Sequence, residues 1–241
     1  MKIGIFGDSF CNKNRLDSDP PEIWYNFLQT DYGHSVDCFG EAGSSILFSA
    51  NLIQQRAADY DLVIWCVTIP GRFSFPAAPE FITWQASAYH VTSTSDVCNV
   101  KDIDLANKHQ AAIDYLKHIF DWPTDEFVGR AIVSYMQTLF PNIMIIPCFP
   151  GPLNAKFNLY DLSQREIDFY FPGKDCTEIF QNYFDMRVGH LTLDHHKVLA
   201  QLINDNLEPG TFQTDYDNFS DPTIPRDDIF KPPSFTLPPL P

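Results

Sequence analysis

The chain has 241 residues, 31 of them acidic and 16 basic, and a formal charge of −15. Its hydrophobic fraction of 44% suffices to bury a core, which excludes a wholly disordered chain. Nucleic acids and anionic membrane surfaces select a surplus of Lys and Arg, so neither is expected as a partner.

Met1-Lys2 runs straight into Ile3-Gly4-Ile5-Phe6, with no export-type apolar segment and no stretch of about 20 apolar residues. A cytoplasmic location is therefore expected. The six cysteines, Cys11, Cys38, Cys66, Cys98, Cys148 and Cys176, show no C-x-x-C pair and no zinc spacing. Cys38, Cys66 and Cys148 fall in apolar runs and read as reduced core thiols.

Residues 2–7 form a short apolar run closed by glycine, the pattern of a buried strand. Residues 20–30 open with proline and place Ile23, Phe27 and Leu28 on one helical face. A weaker strand follows at 34–39. A helix over 44–58 starts at a capping serine and carries Ile46, Leu47, Leu52 and Ile53 at helical spacing. Asp61 to Thr68 is the clearest buried strand. Helices are expected over 105–120 and 123–140, a strand over 142–148, and a last helix over 192–207 with Thr192 as its cap.

Strands that are apolar on both faces and alternate with helices predict a parallel sheet between helical layers. The expected fold is thus a three-layer α/β/α doubly wound domain over residues 1–208. Residues 69–104 lack periodicity and read as an insertion over the site. Residues 209–241 hold eight prolines, end in PPLP, and read as an irregular arm. The arm's aromatics favour packing on the domain or on a second copy of the chain, which allows a homo-oligomer through the arm.

Ligands of open parallel sheets bind beyond the carboxyl ends of the strands. Gly7-Asp8-Ser9 follows the first strand, where a glycine-assisted turn exposes a nucleophile. Gly40 in Gly40-Glu41-Ala42-Gly43 follows the second, where glycines let backbone amides approach a ligand closely. Thr68 and Arg72 in Thr68-Ile69-Pro70-Gly71-Arg72 follow the third and offer donors to developing negative charge. His190 lies just before the last helix, with Asp185 five residues earlier. Each also has a plain reading: a turn tripeptide, a glycine turn, a helix cap or ion pair, and a surface histidine.

Together these residues resemble the SGNH (GDSL-type) hydrolases. Gly7-Asp8-Ser9 matches the family's nucleophile block, Gly40 its glycine block, and His190 its histidine block, in order over residues 1–208. The resemblance implies Ser9 as nucleophile, His190 as general base, and the Ser9 and Gly40 amides as oxyanion donors. It also implies an ester substrate, such as a carbohydrate ester or another small ester, and no cofactor.

The chain departs from the family at two places. T-I-P-G-R stands where the third block reads G-x-N-D, so Arg72 or Thr68 must replace an asparagine donor. Arg187 stands where the orienting acid is usual, which leaves Asp185 as the candidate. At this block the chain more closely resembles a sub-group with T-x-P-x-R. Asp8 joins Gly40, Thr68 and Arg72 as a candidate substrate contact.

Two other readings stand beside the enzyme. One is a non-catalytic carbohydrate-binding or structural protein with a degenerate oxyanion hole. The other is a flavodoxin-like nucleotide binder, disfavoured because no basic residue lies in the first turn. Asp194-His195-His196 with His190 lacks the H-x-x-x-H spacing of a helical metal site, so no metal is expected. His109 and His118 are expected to face solvent.

Overall fold

The computed structural model describes residues 1–11, 23–41, 44–70, 72–77, 82–87, 121–149, 155–162 and 193–219, with residues 111, 114, 118, 119, 153 and 191. For 73–77, 82–87, 193 and 194 it gives the backbone course alone. The helix expected over 105–120 lies largely outside these residues, although His118 is exposed as expected.

Strands β1 (Lys2–Gly7), β2 (Ser35–Gly40), β3 (Leu62–Val67), β6 (Ile143–Pro147) and β7 (Gly210–Thr211) form a parallel sheet in the order β2-β1-β3-β6-β7. Counted along this sheet the order is 2-1-3-4-5, the flavodoxin-like doubly wound arrangement. The chain reverses its direction of travel across the sheet at β1 and β3, and their carboxyl ends flank the switch point. Gly7 lies level with Gly40 on one side and with Cys66 on the other.

Side chains alternate across a strand, so each strand feeds two cores. Ile3, Ile5, Leu62, Ile64, Met144 and Ile146 pack beneath α1 (Trp24–Thr30) and α4 (Leu193–Asp205). Phe6, Val63, Trp65, Val67 and Ile145 pack beneath α2 (Ile46–Arg56) and α3 (Trp122–Leu139). Burial on both faces is why the strands read as unbroken apolar runs. At the edge of the second core, burial and a hydrogen bond to Asp37 push the Tyr60 hydroxyl up to about 12.

Helix ends follow local chemistry. The Asp121 side chain accepts from Thr124 N at 3.2 Å, and Pro123 sits in the first turn of α3, where no amide partner is lost. The α2 cap is Ser45, which accepts from Phe48 N at 3.1 Å; the hydroxyl of Ser44 turns instead to Gly7. Leu47, expected on the buried face of α2, is 59% exposed, and Ser49 and Ala50 are buried with Ile46 and Ile53. Ile23 gives α1 no side-chain cap; instead Trp24 N donates to His196 Nδ1 on α4 at 3.4 Å.

Two segments read as irregular contain strands. Within 69–104, β4 (Arg72–Ala77) and β5 (Ile82–Ser87) form an antiparallel hairpin. At the start of the proline-rich arm, β7 pairs with Met144 and Ile145 of β6. Phe212 and Phe219 follow it into the first core, with rings 6.0 and 5.6 Å from Phe157.

Candidate active site

Gly7 ends β1 at φ +148°, a conformation that L side chains rarely adopt. A Cβ there would lie 2.5 Å from the carbonyl oxygen of Cys66 and 2.6 Å from its Cβ. Glycine therefore lets the chain leave the sheet tightly against β3. The next residues form a single 3-10 turn, Ser9–Cys11, which places Ser9 half-buried directly above the strand end.

Asp8 holds that turn together. It is fully buried, and its Oδ1 accepts from Phe10 N at 3.1 Å. Its carbonyl accepts from Cys11 N at 3.1 Å and from the Cys11 thiol at 3.3 Å. Trp24 Nε1 anchors the turn from α1 by donating to Phe10 O at 2.9 Å. Asp8, a candidate substrate contact, has no exposed surface, and both of its carboxylate oxygens are engaged by the protein.

Gly40 lies against the same turn. A Cβ at Gly40 would meet Cys11 O at 2.5 Å and Cys11 Sγ at 2.6 Å. The following loop is tied to β1, with Glu41 N and the Ser44 hydroxyl both donating to Gly7 O, at 3.0 and 2.8 Å. Gly7-Asp8-Ser9 and Gly40, 33 residues apart in sequence from Gly7 to Gly40, are thus in contact.

The third segment joins them through a charge pair. Arg72 Nη1 donates to Asp8 Oδ2 at 2.9 Å, and its side chain is 12% exposed. The guanidinium lies 5.0 Å from the centroid of Phe149, a cation–π distance, and Phe149 packs edge-on to Phe10. Arg72 Nε and Thr68 Oγ1 are buried without a hydrogen-bond partner among the described residues. Arg72 forms an ion pair as its plain reading foresaw, but a buried one; Thr68 caps no helix.

Sequence reasoning passed over Phe149, although it follows β6 and so meets the same strand-end rule as the other segments. Of the thiols under the turn, it placed Cys38, Cys66 and Cys148 in the core as reduced thiols but not Cys11. Cys11, Cys66 and Cys148 are buried and, with the half-buried Cys38, free. Burial pushes Cys11 and Cys148 well above the ordinary thiol range. The neighbouring Cys11 and Cys148 side chains hold Cys66 below it.

His190 and Asp185 lie outside the described residues. His195 and His196 are both buried, His196 beside Trp24 and His195 edge-on to Phe219. No group of His, Cys, Asp and Glu among the described residues is arranged to hold a metal ion, and no described helix is long and apolar enough to cross a membrane.

Sheet order and turn geometry define a doubly wound, flavodoxin-like α/β protein with a serine at its switch point. No family model matches the chain, and no curated protein matches it. Solved structures similar to it include an acetyl xylan esterase, 15% identical over 83% of this chain and 96% of that one, with a TM-score of 0.37. Another is a member of the lipolytic protein G-D-S-L family from Veillonella parvula, 14% identical over 86% of this chain and 97% of that one, with a TM-score of 0.34.

Proposed function

We propose that the protein is a serine-dependent ester hydrolase of the SGNH (GDSL) type, acting on a small neutral ester. The observation that carries this reading is the contact between the Ser9 turn and Gly40 at the switch point, with Arg72 fixed beside them. The charge of Arg72 is offset by Asp8, so among the described residues the site has no spare cation to attract an anionic ester.

In this reading Ser9 Oγ attacks the ester carbonyl carbon while its proton passes to His190, which Asp185 orients. The oxyanion is met by the Ser9 and Gly40 amides. Arg72 Nε and Thr68 Oγ1, buried donors without partners among the described residues, stand in for the absent asparagine. Collapse breaks the bond to the alcohol, which leaves with the proton from His190. A water then attacks the acyl-serine and releases the carboxylic acid, regenerating Ser9. The substrate class follows from chemistry and not from size: a carbohydrate ester and another small ester both meet it.

The test is turnover of p-nitrophenyl acetate. Wild type should hydrolyse it, and Ser9→Ala should lose about a thousandfold or more of that rate, because a lost nucleophile removes the covalent route. Equal rates would remove Ser9 from the mechanism. A second reading, a binding protein that retains the fold, is favoured by the commitment of Arg72 Nη1 to Asp8. It predicts glycan binding that survives Ser9→Ala, with no ester hydrolysis.

A further inference from the structure

We propose that the groove between the start of α2 and the first half of α3 holds the hydrocarbon group of the substrate, a chain of about four or five carbons. This rests on the ester-hydrolase reading and adds a binding subsite to it. The groove is half open to solvent and offers about 120 Å³, and Ile46, Ile69, Pro70, Val128 and Ile132 line it. Arg72 lines it too, and its Nη1 is 2.9 Å from the carboxylate of Asp8, the residue before Ser9. Arg72 thus borders both the groove and the turn that carries Ser9.

Gly129 keeps this space open. It is buried in the middle of an 18-residue helix, where glycine is a poor choice for helix stability. A Cβ at this position would stand 3.0 Å from Ile46 Cδ1 and 3.8 Å from Pro70 Cγ, so any side chain here enters the groove or displaces its wall. The lining selects the chemistry of the occupant. Six of the lining residues are aliphatic, so a hydrocarbon chain loses nothing against them, whereas sugar hydroxyls would find partners only along the Ser45, Arg72 and Asp125 side. An apolar cavity of about 150 Å³ takes benzene, with its six carbons, so 120 Å³ fits a chain of about four or five. Ser45 and Asp125 also border the groove, and the Asp125 carboxylate disfavours a chain that ends in a negative charge.

The chain can come from the acid or from the alcohol of the ester, and two substrate series separate these sources. One is p-nitrophenyl esters from acetate to octanoate; the other is acetates of alcohols from methanol to octanol. Wild type, Gly129→Val and Ile132→Ala are compared by kcat/KM. In one of the two series wild type should peak at four or five carbons and fall beyond six. Gly129→Val should lower the five-carbon to shortest-chain ratio by at least about tenfold, since one methylene in a fitted pocket is worth about 10–200-fold. Ile132→Ala should move the peak one or two carbons longer. These opposite shifts cannot both arise from partial unfolding.

A binding arm needs no catalysis: pentanamide is followed by ligand-observed NMR with wild type and with Gly129→Val. Binding to wild type that Gly129→Val abolishes supports the groove even if no ester is hydrolysed, in which case the hydrolase reading alone falls. Ester hydrolysis with one unchanged length profile in all three proteins overturns the groove and leaves the hydrolase reading standing. Equal binding of pentanamide to wild type and Gly129→Val also overturns it.

Discussion

Arg72→Met should lower both stability and turnover, and the two losses should separate in a double variant. Removing the guanidinium leaves the Asp8 carboxylate buried with one oxygen unpaired, since Arg72 Nη1 is its partner at 2.9 Å. Breaking a buried pair from one side costs about 3–5 kcal/mol, and the slight exposure of Arg72 puts the expected loss near the lower figure. Denaturant titration of the single variant should show it. Adding Asp8→Asn removes the stranded charge while keeping an acceptor for Phe10 N, so most of the stability should return. Turnover of p-nitrophenyl acetate should stay about 10²–10³-fold below wild type in both variants, the usual cost of one lost oxyanion donor. Recovery of turnover together with stability would show that Arg72 only braces the turn.

Gly7→Ala should be the most damaging single methyl group in the described structure. The backbone stands at φ +148°, and the added carbon would be 2.5 Å from the Cys66 carbonyl oxygen, which belongs to the central strand β3 and cannot yield cheaply. Strain of about 1–3 kcal/mol combines with overpacking of similar size, giving about 4 kcal/mol in all. For a chain of this length that corresponds to a fall in melting temperature of roughly 8–16 °C. Gly33→Ala is the control. Its φ is also positive, at +71°, but a Cβ there meets nothing within 4 Å, so only the strain of about 1 kcal/mol applies. Equal effects at the two positions would mean that the contact with β3 is unimportant.

The layers of the fold were legible because they rest on local pattern. Ile3, Ile5 and Phe6, or Val63, Ile64 and Trp65, are apolar on successive residues only when helices cover both faces of a sheet, and both sets are buried. The capping of α2 was legible within one residue, since Ser44 and Ser45 are equivalent by type and differ only in what tertiary structure offers them. The hairpin was not, because Pro76 interrupts the alternation of β4 opposite Thr83; a two-stranded ribbon tolerates a proline that a central strand would not. Strand β7 was hidden for another reason. Two residues, Gly210 and Thr211, carry no periodicity, and only the exposed edge of β6 makes a strand of them.

At the site, the positions of Ser9 and Gly40 followed from glycines at strand ends, and the turn that joins them is in place. The partnership of Asp8 with Arg72 was out of reach, since the two residues are 64 apart and each has an ordinary local reading. The same holds for Cys11, whose thiol and carbonyl wedge between Gly7 and Gly40. Such a contact is a product of packing that no spacing rule encodes.

Labelling with a fluorophosphonate that carries a mass tag tests the central claim most directly, because it reports an activated hydroxyl without knowledge of the natural ester. Digestion of the labelled native protein and mass spectrometry should place the adduct on Ser9, and unfolding the protein before labelling should abolish it. A native protein that stays unlabelled at Ser9, or that carries the tag on another residue, would contradict the account.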